Sequence, residues 1–139
     1  LTNLYHQADN NHDEGGYVAD KSDILELQRR IIAFRDERYW KQFHNPKDLA
    51  ISLLLEASEL LEHFQWKNTD EMAAHVKNQK EAVSDELADV LYWVLLMAHD
   101  LDIDLRQAVN RKMDKNEQKY PKDKATGNHK KYNEYQDES

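Results

Sequence analysis

Residues 45–66 read NPKDLAISLLLEASELLEHFQW, and how this stretch folds constrains everything around it. Asn45-Pro46 is a helix start. An amide side chain can cap the first N–H groups, and the proline that follows has a φ suited to the first turn and lacks only an N–H that would go unpaired there. Beyond it, Leu49, Leu53, Leu60 and Phe64 recur along one stripe, and Ile51, Leu54, Leu55 and Leu61 widen that stripe. The spacing predicts a helix over 46–64 that is buried between neighbours, because so wide an apolar surface is not stable against water. Into this surface the sequence sets Glu56 and Glu59, three residues apart and therefore on one helix face.

The flanking segments carry their own helix signals. Toward the N-terminus, Asp20 to Asp23 offers caps, and Ile24, Leu27, Ile31 and Phe34 keep helical spacing, which predicts a first helix running to about Trp40. Toward the C-terminus, Asn68-Thr69-Asp70-Glu71 caps a short helix to about residue 79, with acids in the first turn where the helix dipole favours them. A long apolar helix over about 80–100 follows. Asp102 or Asp104 then caps a last helix over 105–119, which Tyr120-Pro121 ends. The tail from 122 reads as polar and extended. No segment reads as a strand, so the expected fold class is all-α: a four-helix-bundle-like arrangement with one additional short helix. Two helices too apolar to be covered within one small chain predict a homo-oligomer.

The 139 residues suit one domain, over 21–139, and a 40% apolar composition suffices for one core. Residues 1–20, polar and including Gly15-Gly16, read as a disordered or introduced segment. Cysteine is absent, which excludes disulfide frameworks and thiolate metal sites. No apolar run approaches the roughly 18 residues of a membrane span, and no signal-peptide pattern is present, so a cytoplasmic location is expected. A net charge of −8 argues against a nucleic-acid polymer as partner. Yet residues 111–131 hold eight Lys or Arg against three acids, a segment that is either a solvated face or countercharge for a small polyanion.

The stretch SDELADVLYW at 84–93 repeats the acidic spacing with Glu86 and Asp89. If the two long helices pack antiparallel, four carboxylates converge, and their repulsion calls for a cation. Oxygen-only donors suit Mg²⁺, with Mn²⁺ able to substitute. The competing reading places the acids on solvated helix edges, in a non-catalytic helical interaction module. A di-iron bundle would need Glu-x-x-His pairs, whereas Glu59 and His63, like Glu71 and His75, stand four apart. His44, His63, His75 and His99 are scattered, and most are expected to face solvent or the core edge.

Glu56-x-x-Glu59 followed by Glu86-x-x-Asp89 resembles the E-x-x-E…E-x-x-D signature of the MazG-type nucleoside triphosphate pyrophosphohydrolases. FRDERYWKQFHNPKDLAISLLLEASELLEHFQW at 34–66, KMDKNEQKYP at 112–121 and Lys130-Lys131-Tyr132 resemble the branch with the dCTP pyrophosphatases and small stand-alone MazG-like proteins. The resemblance covers about 24–133. It implies a dimer or dimer of dimers with sites near subunit interfaces, and Mg²⁺-dependent conversion of a (d)NTP to the monophosphate and pyrophosphate in nucleotide-pool house-cleaning, with deoxynucleotides preferred. It implies Glu56, Glu59, Glu86 and Asp89 as metal ligands, with Glu59 also a candidate general base. Trp40 and Trp66 match its base-packing aromatics. Trp93 stands where relatives have tyrosine, and an upstream histidine of theirs falls near Ile31, so strict cytosine preference is not implied. His44 joins the aromatics as a candidate substrate contact, and Lys112, Asn116, Lys119 and Tyr120 are candidates for the phosphates, of their own or a neighbouring subunit.

Overall fold

The computed structural model describes residues 23–127, and these are helical throughout, with no strand among them. The expected N-terminal segment and Lys130-Lys131-Tyr132 lie outside the described residues. The helices are α1 (Asp23–Asp36), α2 (Pro46–Glu62), α3 (Thr69–Asn78), α4 (Lys80–Asp100), α5 (Leu105–Lys119) and the single turn α6 (Lys122–Ala125), with a 3₁₀ turn over Trp40–Phe43 between α1 and α2.

The local start signals act as read. Asn45 Oδ1 accepts the Asp48 N–H at 3.0 Å. Asn68 and Glu71 form a reciprocal capping box, with bonds of 3.0 and 2.8 Å. Asp104, the stronger of the two candidates, accepts the Gln107 N–H at 2.9 Å.

Two boundaries differ from expectation. Helix α1 stops at Asp36 rather than near Trp40, because Tyr39 takes a left-handed conformation (φ 56°) and the chain restarts as the 3₁₀ turn. The tail after Pro121 is not extended at its start: Ala125 N–H donates to the Pro121 carbonyl at 2.9 Å and closes the turn α6.

Helix α2 packs along α4, and α1 lies against α4. The pairing of α2 and α4 is antiparallel: Leu49 and His44 lie by His99 and Asp100, while Glu56 lies by Glu86 and Asp89. Leu49, Leu95, Leu96 and Ala98 form the buried core at this junction, with Val83 further along α4. Arg35 is also fully buried. Its Nη1 donates to both Asp100 carboxylate oxygens at 2.8 Å, and its Nε donates to Asp36 at 2.8 Å.

Only one stripe of α2 is covered. Ile51, Leu54, Leu55 and Leu61 remain exposed, Leu54 at 67%, so the burial expected on both sides of this helix is not achieved within one chain. Helix α5 has no buried residue and makes only slight contact with the other helices.

Candidate active site

The antiparallel pairing brings the middle of α2 against the first half of α4. There Glu56, Glu86 and Asp89 each offer a carboxylate oxygen, and these atoms lie within 4.8 Å of one another. The rotation of both helices follows from their apolar residues: burying Leu49 on α2 and Leu95 and Leu96 on α4 turns these acids toward the shared seam. Glu56 and Glu86 are partly buried and Asp89 is exposed. Glu59, one turn along α2, is exposed and stands outside the trio.

The cluster is electrostatically uncompensated. None of the four acids forms an ion pair with Lys or Arg among the described residues. Burial holds the Glu86 carboxyl above its usual range. The negative charge of Glu59 adds to that, with smaller contributions from Asp89 and Glu56, while His63 opposes it. Asp89 is raised by burial and then by Glu56 and Asp85. Partly desolvated carboxylates that repel one another, with only oxygen donors, fit a hard divalent cation such as Mg²⁺. Acids on separate solvated helix edges would not bring carboxylate oxygens of α2 and α4 within 4.8 Å of one another.

The other candidate residues divide into those near this seam and those away from it. The Trp93 indole N–H donates to Glu56 Oε1 at 3.2 Å, and its ring meets His44 and Tyr92 edge-on, with centroids 5.6 and 5.1 Å apart. Trp93 is thus tied to a carboxylate of the cluster. His44 is lowered in pKa by burial and then by Arg35, with Asp100 opposing, and its Nδ1 is buried without a hydrogen-bond partner. A cavity of about 270 Å³ opens beside it, lined also by Lys41, Asn45 and His99.

Trp40 packs edge-on against Phe34 at 5.8 Å, and the Arg38 guanidinium sits 3.7 Å above the Phe34 ring. Trp66, at the turn after α2, is 94% exposed and holds a left-handed backbone (φ 67°). Such a conformation is uncommon for a bulky residue. Lys112, Asn116, Lys119 and Tyr120 lie on α5 or just past it, and within one chain α5 does not pack on the acidic seam.

Sequence reading missed Tyr92 and Asp85. The Tyr92 hydroxyl is raised by burial and by Asp89 and lowered by Arg35 and Arg38. Its place three residues after Asp89 on the same helix is the signal that could have found it. A second cleft, about 330 Å³ between α1 and the end of α4, is lined by residues such as Ile24, Gln28 and Leu105 and by none of the four acids.

Comparison with known proteins agrees with this arrangement. The profile of the MazG-like family matches residues 51–135. Mouse dCTP pyrophosphatase 1 is 43% identical over 111 residues, covering 78% of this chain and 65% of that protein. The human dCTP pyrophosphatase 1 is 41% identical over 123 residues, covering 86% of this chain and 72% of that protein. The crystal structure of a pyrophosphatase from Archaeoglobus fulgidus superposes with a TM-score of 0.68 at 43% identity, covering 70% of this chain and 92% of that one. By its family profile and its identity to these relatives, the chain belongs to the MazG-like family, in the branch of the dCTP pyrophosphatases.

Proposed function

We propose that this chain, a nucleotide pyrophosphohydrolase by family, hydrolyses a (d)NTP to the (d)NMP and pyrophosphate with Mg²⁺ or Mn²⁺, favours deoxynucleotides, and serves in nucleotide-pool house-cleaning. The observation that carries the reading is the convergence of Glu56, Glu86 and Asp89 across two helices with no protein cation among them. The preference for deoxynucleotides rests on relatives named for dCTP.

Glu56, Glu86 and Asp89, with Glu59 beside them, would hold the ion. When bound, Mg²⁺ supplies charge neutralisation to the triphosphate and makes a water more acidic. Water attacks the α-phosphorus, and the bond to the bridging oxygen breaks, so pyrophosphate leaves. Glu59 is exposed and stands apart from the trio, which suits it to accept the proton of the attacking water. Trp93 holds Glu56 in place through its indole N–H and, with His44, adds apolar ring surface beside the seam. The exposed rings of Trp40 and Trp66 offer flat faces for a base.

The uncovered stripe of α2 and the loosely held α5 support a homodimer or a dimer of dimers. In such an assembly Lys112, Asn116, Lys119 and Tyr120 would approach the phosphates bound by a neighbouring subunit. No described helix is long and apolar enough to cross a membrane. We place the protein in the cytoplasm, where nucleotides are found.

Pyrophosphate release from a panel of NTPs and dNTPs with Mg²⁺, beside a Glu59→Ala control, tests the reading. Release that is highest for a deoxynucleotide and lost in the control is expected. A folded, metal-supplied sample that releases no pyrophosphate from any nucleotide would overturn it.

A further inference from the structure

At the end of α2 away from Leu49, two histidines meet that the hydrolytic site does not use. His63 Nδ1 and His75 Nε2 lie 2.9 Å apart, with ring centroids 5.2 Å apart and planes inclined at 45°. Both side chains are partly buried, and Phe64 packs against each ring. The contact joins elements separated by the Phe64–Lys67 turn, since His63 caps the C-terminus of α2 and His75 lies in the last turn of α3.

We propose that His63 and His75 form a second divalent-metal site, selective for a borderline transition-metal ion such as Zn²⁺ or Ni²⁺ rather than Mg²⁺. Imidazole nitrogen suits these ions, whereas Mg²⁺ takes oxygen ligands. Zn–N bonds of about 2.0–2.1 Å at a tetrahedral angle place two ligand nitrogens about 3.3 Å apart. The observed 2.9 Å therefore needs only a few tenths of an ångström of opening. In the ion-free chain one imidazole donates its N–H to the other; with a metal bound, the donor ring would carry its proton on its other nitrogen, so that both facing nitrogens present lone pairs.

Two further features favour a cation here. Each histidine stands at a helix C-terminus, where the backbone dipoles present negative partial charge. Each also follows a glutamate by four residues, Glu59 before His63 and Glu71 before His75. Glu71 is engaged in the α3 capping box, and among the described residues no carboxylate forms one ligand group with the two histidines, so water completes the coordination. Glu86 already lies within electrostatic reach of His63. Burial, and after it the Lys67 ammonium and His63, favour the neutral His75 imidazole that ligation requires.

Because Glu86 of the acidic seam feels charge at His63, an ion on the histidine pair would weaken Mg²⁺ binding by repulsion. That consequence rests on the proposed hydrolytic reading; the binding itself does not.

Calorimetric titration of Zn²⁺ and Ni²⁺ into the full chain in excess Mg²⁺ tests the site, using wild type, His75→Gln, His63→Gln and Glu56→Gln. Expected is binding by wild type and Glu56→Gln that weakens at least about tenfold in either histidine variant, with circular dichroism showing intact helices. Binding that falls in Glu56→Gln but persists in both histidine variants would assign the ion to the acidic seam and overturn the proposal, as would no binding at all. Should one histidine variant fail to fold, the other carries the comparison. Ni²⁺-induced shifts of wild-type imidazole resonances then decide: shifts confined to histidines other than 63 and 75 overturn the proposal. Absence of pyrophosphate release alongside zinc binding would leave this site standing and remove only the hydrolytic reading.

Discussion

At the C-terminal end of α4, Asp100 receives two hydrogen bonds from the buried Arg35 guanidinium, so the fold supplies its own countercharge. Earlier on the same helix, Glu86 and Asp89 meet Glu56, and among the described residues no Lys or Arg forms an ion pair with any of them. The two regions share a helix and an acidic character but differ in what is left to a ligand. A compensated acid is architecture; an uncompensated, partly desolvated set is energetically incomplete until a cation arrives. The difference supports the proposed reading of the seam as a cation site.

The largest effect is expected from breaking the compensated region. Arg35→Met leaves Asp100 partly buried and unpaired, at a cost of about 3–5 kcal/mol of unfolding free energy, measurable by urea denaturation. The double variant Arg35→Met/Asp100→Leu should regain most of that loss, because the buried charge is gone from both sides. Equal destabilisation in the single and double variants would mean that Arg35 acts through packing alone.

In the uncompensated region the sign reverses. Glu86 and Asp89 have pKa values raised in the folded chain. Each therefore contributes stability that is fully present below the unfolded carboxylate pKa and is lost as pH rises through the folded value. A divalent cation binds the ionised forms, so its stabilisation grows over the same window. Thermal unfolding should show a larger Mg²⁺ shift at neutral than at mildly acidic pH. Glu86→Gln should abolish most of the shift and lower hydrolysis by about a hundredfold, while leaving the metal-free protein at least as stable as wild type. A metal-free Glu86→Gln protein less stable than wild type would place Glu86 in the architecture instead.

How far the sequence foretold this depends on the range of the interactions involved. Asn45, Asn68 and Asp104 cap their helices through contacts three residues away, and local chemistry of that kind is legible in a string. The acidic pairs could be picked out for the same reason, since i,i+3 spacing fixes a shared face, but the expected meeting of all four acids is reduced to Glu56, Glu86 and Asp89, with Glu59 outside the group. Arg35 was not legible, because its partner lies 65 positions on and nothing nearby marks a buried cation. The early end of α1 falls nearby: the chain turns at Tyr39, four residues after Arg35. The His63–His75 contact was hidden likewise, because the fold of the turn between α2 and α3 decides it.

The Trp93–Glu56 bond spans 37 positions and yields the smallest expected effect, the one that most sharpens the comparison. If the uncompensated acids still need a fixed geometry, some neutral donor must orient them, and the indole N–H does this for Glu56 without neutralising it. Trp93→Phe keeps the ring contacts with His44 and Tyr92 but removes that donor. At 3.2 Å the bond is long, so the loss belongs at the low end for groups that orient ligands, about tenfold in Mg²⁺ affinity. Trp93→Tyr, which returns a hydroxyl donor, should recover part of it. Titrating Mg²⁺ against thermal stability in the three proteins separates the outcomes. An unchanged midpoint in Trp93→Phe would show that packing across the α2–α4 seam alone positions Glu56, and that the uncompensated acids are held from below by Leu49, Leu95 and Leu96 rather than from the side.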